Sequence, residues 1–360
     1  MVSTGRPRPN IRLVEACDKY LSRIEAEGQA ESTIRTTSYA LTRLRKAIDA
    51  TSKSANPYVH MIGPASMDDY CYGKNGIRAG GGSGRPITAA SFNRYRSCLR
   101  SFFDYAVKMG WTDQNPMDAV SAARPDQAKP KLILSATELV NLLGAASNPV
   151  ERIGCALGMN TGLRGNDIRH LTILDANIVG GDIQTQIRKT NKIDSKPISL
   201  DLHWELMHWL SEYASLSDLP SLNDLPGEWL LVPSYRPPAP NETDKRIHLK
   251  PLQVHTNPWR LVQRPLARLG FPTKGQGFHT LRRSSARALF EQLRQTGEGR
   301  DHALMVVKDF LNHSSVVQTE AYLGLNHERQ IRDETLRGKP FLSALAATDL
   351  DRLRSLAQGE

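Results

Sequence analysis

A polar, basic and proline-containing run at residues 122–131 divides this chain of 360 residues into two regions. At roughly 150 residues per domain, a chain of this length has room for two domains. A run of this composition is typical of an interdomain linker. We therefore predict five segments: a basic tail at residues 1–10, a helical domain at 11–121, the linker at 122–131, a second domain at 132–338 and a C-terminal tail at 339–360.

The charge balance narrows the class of partner. Lys and Arg number 47 against 37 Asp and Glu, a formal net charge of +10, which favours a polyanion such as nucleic acid but is shared by other basic proteins. The four cysteines form no CxxC pair, which argues against a zinc module and fits a reducing compartment. Neither a secretory signal nor a membrane-spanning apolar stretch is present in the sequence, so we expect a cytoplasmic protein without a membrane partner.

Helical patterns fill the first region. Ser32 is placed to cap one amphipathic helix, and Thr88 to cap another that ends near Gly110. Residues 76–84, between these helices, are rich in glycine and predict a flexible loop. The aromatic residues of the second helix have helical spacing and are expected in the core. Five arginines on the two helices are either solvated or face nucleic acid: Arg35, Arg43, Arg94, Arg96 and Arg100.

The second region combines helices with a small sheet. Ser135 begins a capping-box pattern, and a helix over residues 150–160 is expected to stop at Gly162. A β-hairpin is predicted where apolar and polar residues alternate on both sides of a polar turn, with Ile183, Thr185, Ile187, Ile198 and Leu200 as the alternating set. Residues 216–250 contain several prolines and are expected to be rich in loops. The predicted fold class is mainly α with a small antiparallel β-sheet.

Short motifs in the second region carry reactive or cationic side chains. In chain order these are Arg164 in TGLR, Lys189 in RKTNK, His279 and Arg282 in HTLR, His313 in LNHSS and Tyr322 in AYLG. Each motif alone fits an ordinary structural role, such as a helix cap, a solvated strand edge or a core side chain. Their order and spacing are more specific, because His279 and Arg282 share one helix face and Tyr322 follows His313 by nine residues.

Taken together, these motifs resemble the catalytic domain of the tyrosine recombinase, or phage integrase, family over residues 132–330. The resemblance implies that Tyr322 is the nucleophile and forms a 3′-phosphotyrosyl bond with one DNA strand. It implies that Arg164 and Arg282 grip the scissile phosphate. Two guanidinium groups suit this task, since they can bind a phosphate through paired hydrogen bonds and stabilise its transition state without a metal.

The remaining roles implied by the resemblance concern proton transfer. His313 contacts the phosphate or handles a proton, and His279 assists as a general base or hydrogen-bond partner. Lys189 protonates the departing 5′-hydroxyl, with Lys192 as its rival because both lie in the hairpin. The implied partners are double-stranded DNA and further copies of the chain in a tetramer on two DNA sites, with room for an accessory directionality factor. No metal or other cofactor is implied.

Three positions depart from the family pattern without removing a catalytic group. Asn312 replaces the glycine of LGHSS, Arg283 stands where a second histidine is common, and Asp167 is the shorter of the two acidic residues used after TGLR. The first region resembles the family's helical core-binding domain, through less specific motifs. The apolar residues of the C-terminal tail predict either a helix packed on its own domain or a segment that docks on a neighbouring protomer.

Other functions stay open at this point. Related chemistry would make the chain a type IB topoisomerase- or resolvase-like enzyme, whereas loss of activity on the same fold would make it a non-catalytic DNA-binding regulator. A metal site built from His279 and His313 with His302 or His327 is disfavoured, because the neighbouring arginines would repel a cation.

Overall fold

The computed structural model describes residues 10–51, 56–80, 86–124, 131–187, 192–240, 242–243 and 245–325. Contacts within the chain define two compact units, Met1–Pro130 and Lys131–Glu360. The C-terminal tail, most of the N-terminal tail and residues 125–130 of the predicted linker lie outside the described residues. Across the described part of the chain, no helix combines the length and apolar character needed to cross a membrane.

Helices dominate the described part of the first unit: α1 (Leu13–Ala26), α2 (Glu31–Thr51), α3 (Pro64–Tyr72) and α4 (Ala89–Lys108). Thr88 caps α4 as predicted, because its hydroxyl accepts the hydrogen bond of the Ser91 amide, a donor that the helix itself leaves unpaired. The aromatic residues of α4 form the core as predicted, with Phe92, Phe102 and Phe103 fully buried.

One local prediction for the first unit was wrong. A second, the flexible loop at residues 76–84, is corrected only at residues 77–79, because residues 81–84 lie outside the described residues. Ser32 does not cap a helix, because α2 begins one residue earlier, at Glu31. The amides of Thr33 and Ile34 in its first turn donate to the carbonyl of Ala30. The glycine-rich segment starts with a 3-10 turn at Ile77–Ala79, and the Ile77 side chain is buried in the core. Burial of one large apolar side chain is worth roughly 2 kcal/mol, which offsets part of the conformational entropy lost when this turn is ordered.

The second unit contains eight helices among its described residues: α5 (Ala136–Gly144), α6 (Pro149–Asn160), α7 (Gly165–Ile168), α8 (Leu200–Leu216), α9 (Arg260–Arg268), α10 (Phe278–Gln295), α11 (Arg300–Phe310) and α12 (Val316–Leu323). The capping box at Ser135 and the helix before Gly162 both form as predicted. Strands β1 (Ala176–Asn177), β2 (Asp182–Ile187) and β3 (Lys192–Pro197) make one antiparallel sheet, while β4 (Ser234–Arg236) pairs with β5 (His248–Lys250) in another. These observations confirm the predicted fold class.

Helix α6 lies at the centre of the second unit, with α5, α8, α9 and α10 packed around it. Gly158 allows α10 to approach, because a Cβ at this position would lie 2.9 Å from side-chain atoms of both Phe278 and Leu281. At the other end of α6, the fully buried carboxylate of Glu151 pairs with Arg264 and Arg268 of α9. The position of α10 relative to the TGLR segment after α6 is therefore set by close packing.

The predicted hairpin forms, but its second strand differs from the prediction. Strand β3 ends at Pro197, and Leu200 begins α8 with 74% of its surface exposed. The buried face of β3 carries Lys196, whereas Ile193 points outward and is 84% exposed. The prediction of loop at residues 216–250 was also incomplete, because β4 and β5 lie there; strands of three residues leave too short a pattern to detect.

Candidate active site

Arg164 occupies a turn between α6 and α7. Gly162 adopts φ +61° in this turn, a left-handed conformation that suits glycine, and an added Cβ would lie 2.7 Å from the carbonyl oxygen of Phe310. The Thr161 hydroxyl accepts a hydrogen bond from the amide of Leu163 at 3.2 Å, which holds the backbone directly before Arg164. Arg164 is half-buried at the N-cap of α7. The sequence TGLR thus builds a rigid turn that presents one guanidinium group.

Helix α10 carries His279 and Arg282 near its first turn. The start of the helix is held by Thr280, whose hydroxyl accepts from the amide of Gly277 at 3.2 Å and donates to Gln276 at 2.7 Å. His279 is exposed, whereas Arg282 is only 3% exposed. The Arg282 guanidinium donates a hydrogen bond to the carbonyl oxygen of Leu311, which follows α11.

The turn between α11 and α12 places His313. Asn312 adopts φ +50°, and the amide of His313 donates to the carbonyl of Lys308 at 3.0 Å, a bond that closes the end of α11. His313 is 7% exposed, and its ring Nδ1 lies 3.1 Å from the hydroxyl of Thr319. Asn312 in place of the expected glycine therefore keeps the left-handed turn that His313 requires.

Tyr322 lies near the end of α12 and is half-buried. Its ring meets the His313 ring edge-to-face, with centroids 5.2 Å apart. The Tyr322 hydroxyl donates to the backbone carbonyl of His279 at 3.4 Å, and the Arg283 guanidinium lies 5.9 Å from the ring centroid. The phenol of Tyr322 therefore lies between α10 and the turn that carries His313.

The two arginines influence each other through their charges. The pKa of Arg282 is lowered to about 10, mainly by burial and also by repulsion from Arg164, while the charge of Tyr322, a hydrogen bond with it and the charge of Asp167 offset part of the decrease. A guanidinium with this pKa still carries its charge at neutral pH. Because its charge is poorly solvated and repelled by a neighbour, the site favours the arrival of an anion.

The pKa of Tyr322 lies above its ordinary value of 10.0, because burial disfavours the phenolate. The cationic groups Arg282, Arg283 and Arg164 counteract this effect without cancelling it. The phenol is therefore protonated at neutral pH, and it can act as a nucleophile only if a base accepts its proton.

The structure brings together Arg164, Arg282, His313 and Tyr322, and it places His279 in contact with Tyr322 through its backbone. Lys189 lies outside the described residues, and of Lys192 the structure describes only the backbone, which pairs with Ile187. No group of three or more His, Cys, Asp or Glu side chains suited to a metal ion occurs in the described ranges.

Some residues beside the site were missed from the sequence. Thr319 supports the His313 ring, and its position one turn into α12 gave no separate signal. Lys196 and Asp194 of β3 bond to the turn before His313, more than 110 residues further along the chain. A local pattern cannot reveal such partners.

The five arginines predicted to face solvent or DNA in the first unit have different surroundings. Arg96 donates to the carbonyl of Val120, and Arg100 pairs with Asp118. Arg43 lies over the rings of Tyr39 and Tyr95, at 6.0 and 5.7 Å from their centroids. The other two, Arg35 and Arg94, are exposed, and Arg94 bonds to the hydroxyl of Thr36.

The sequence profile of the phage integrase family matches residues 133–329, more than half of the chain. The chain therefore belongs to the phage integrase family, the tyrosine-type site-specific DNA recombinases. Among curated protein sequences no match was found.

Solved structures share the fold at low sequence identity. A dimer of lambda integrase (residues 75–356) bound to a COC′ core site is 19% identical, with a TM-score of 0.61 over 88% of this chain and 97% of that chain. A lambda integrase tetramer bound to a Holliday junction is 20% identical, with a TM-score of 0.58 over 86% and 79% of the two chains. The XerH recombinase bound to a palindromic difH substrate is 18% identical, with a TM-score of 0.60 over 90% and 84%.

Substitution of Gly162 tests the rigidity of the Arg164 turn. We expect Gly162→Ala to lower the free energy of unfolding by at least about 2 kcal/mol, through left-handed strain and a clash with the Phe310 carbonyl. Gly181→Ala is the matched control, because Gly181 has φ +75° and open space around it, so only the strain of about 1 kcal/mol applies. Stability is measured by denaturant unfolding. Equal losses for the two variants would show that the Gly162 turn shifts to accommodate the added Cβ without further cost.

Proposed function

We propose that this protein cuts and rejoins double-stranded DNA at specific sites through a 3′-phosphotyrosyl intermediate, with Tyr322 as the nucleophile. The observation that supports the proposal most directly is the convergence of Arg164, Arg282 and His313 on the Tyr322 phenol. A phosphodiester is anionic and gains charge in its transition state, so fixed cations at the reacting group lower the barrier. Metal ions and ATP are not required by this chemistry.

In the proposed cleavage step, the Tyr322 oxygen bonds to phosphorus as the bond from phosphorus to the 5′-oxygen breaks. The phenolic proton passes to a base, for which the family resemblance supplies His279, and the 5′-oxygen receives a proton from Lys189 or, less in keeping with its position, Lys192. Attack by a 5′-hydroxyl on the phosphotyrosine reverses these transfers. The covalent bond conserves the energy of the broken phosphodiester, so another strand can be joined without an added energy source.

The covalent intermediate is tested with a nicked suicide substrate. The wild-type protein should form an SDS-resistant adduct with the DNA, and Tyr322→Phe should form none, because it lacks the nucleophilic oxygen. Tyr72→Phe is the control, since Tyr72 lies in the first unit, its hydroxyl donates to the carbonyl of Ser121, and its ring contact with Phe92 is one that phenylalanine keeps.

The same experiment separates the alternatives. An adduct from Tyr322→Phe at the wild-type rate would refute the proposed nucleophile. A wild-type protein that binds DNA and forms no adduct would instead be a DNA-binding regulator. Relaxation of a supercoiled plasmid without exchange between paired sites would identify a topoisomerase-like enzyme.

We infer that exposed arginines of the first unit bind DNA phosphates. The slope of log K against log salt is negative, and each phosphate contact that is removed should make it less negative by about 0.9. We expect this change for Arg35→Gln and Arg94→Gln, and none for Arg100→Gln, whose guanidinium is already paired with Asp118. Fluorescence anisotropy over a salt series measures the slopes, and the same slope for all four proteins would remove these residues from the interface.

We also infer that four copies act on two DNA sites, linked by the tail at residues 339–360. Lambda integrase forms a tetramer on a Holliday junction, and this chain shares its fold. Removal of the chain from Lys339 onward should impair pairing and strand exchange more than binding to a single site, as measured by gel mobility and recombination assays. Equal losses in binding and exchange would indicate a tail that packs on its own protomer.

A further inference from the structure

The buried face of β3 carries charge where a strand of this kind usually carries apolar side chains. Lys196 has a side chain only 7% exposed, and its ammonium group lies 3.0 Å from the carboxylate of Asp194. The ammonium group also donates to the carbonyl oxygens of Asp309 and Phe310, at 3.2 and 3.3 Å, and to the side-chain oxygen of Asn312. A buried cation needs several such acceptors to persist in the folded state.

Asn312 completes this group of side chains, which we call the hairpin cluster: Asp194, Lys196 and Asn312. The Asn312 amide nitrogen donates to the carboxylate of Asp194 at 2.6 Å, while its oxygen accepts from Lys196. The backbone of Asn312 has φ +50°, a left-handed conformation that glycine adopts without steric cost. Asparagine tolerates the same conformation and adds two hydrogen bonds that glycine cannot make.

The hairpin cluster is adjacent to the candidate active site. Asn312 immediately precedes His313, and the three carbonyls at the end of α11 are bound by two cations, Lys196 at residues 309 and 310 and Arg282 at residue 311. The C-terminal end of a helix carries partial negative charge, so both contacts are favourable. The turn that presents His313 is therefore held from one side by β3 and from the other by α10.

We propose that Asp194 and Lys196 are positioning residues, which hold His313 at the scissile phosphate by fixing Asn312 and the end of α11. This proposal rests on the proposed function. Their hydrogen bonds go to Asn312 and to the carbonyls at the end of α11, so they act on His313 through the backbone of the turn. A displacement of about 1 Å at a reacting group can reduce a rate on the order of a hundredfold.

A purely structural role makes a different prediction. If the hairpin cluster only stabilised the domain, its variants would lose folding stability and activity together, whatever residue stood at position 313. If it positions His313, the loss of cleavage rate must depend on the presence of that imidazole. A double-mutant cycle between Asp194 and His313 separates these two cases.

The test compares Asp194→Asn, His313→Gln and the double variant in the full-length protein. The rate of SDS-resistant adduct formation on the suicide substrate is measured under single-turnover conditions, with the melting temperature recorded for each protein. We expect Asp194→Asn to slow adduct formation about tenfold or more in the wild-type background. We expect no further slowing when it is added to His313→Gln. Equal slowing in both backgrounds, or none in either, would overturn the proposal.

Two further variants control for folding. Ser195→Ala changes the outward face of the same strand, where the hydroxyl bonds to Asp182, and should leave the rate within about twofold. The second control is the double variant Asp194→Asn with Asn312→Asp, which exchanges the donor and the acceptor. It keeps an amide facing a carboxylate and leaves an acceptor for Lys196. This double variant should recover most of the rate lost by Asp194→Asn alone, and failure to recover any rate in a protein of wild-type stability would count against the proposal.

The proposed function and this proposal can fail separately. If the wild-type protein forms no adduct, the proposed function is refuted. If the wild-type protein forms an adduct that Tyr322→Phe does not, and Asp194→Asn matches the wild-type rate, the proposed function stands and the positioning role is refuted.

Discussion

The rest of the site depends on the burial of the charged Arg282 guanidinium beside a second cation. This guanidinium is almost fully buried beside that of Arg164, and both burial and repulsion act against the charged form. The folded domain tolerates this arrangement because the Leu311 carbonyl, Asp167 and Tyr322 each offset part of the cost. What remains is an excess of positive charge that a bound anion would neutralise, so the site is organised for a ligand more than for stability.

Burial also sets the protonation state of Tyr322. It raises the pKa of the phenol, and the surrounding guanidinium groups only partly reverse the increase. The phenol is therefore neutral at neutral pH, and a neutral phenol is a poor nucleophile. In the proposed cleavage step, a phosphate between the arginines would neutralise the charges that favour the phenolate, so proton transfer would have to accompany attack. The proposed step therefore requires a base close to the Tyr322 oxygen.

The sequence was sufficient to predict the features that local chemistry determines. Arg164, Arg282 and Tyr322 could be found because the order and spacing of the motifs are specific, and Thr88 and Ser135 because a helix cap is formed within four residues. Errors occurred where distant contacts decide the outcome. The Ile77 side chain is buried in a core whose other residues come from distant parts of the first unit, and β4 and β5 are too short to show a period.

Strand β3 shows why the alternation of apolar and polar residues did not predict the buried side chains beside the candidate active site. A period of two predicts apolar residues on the buried face, yet Ile193 is exposed and Lys196 is buried, because the acceptors for the lysine come from a turn 113 or more residues away. An apolar residue at position 196 would fit the pattern better. It would also remove the Lys196 ammonium group as a donor to the carbonyls of Asp309 and Phe310, directly before the turn that presents His313. Departures from local rules are expected where function sets the arrangement, and this one adjoins the site.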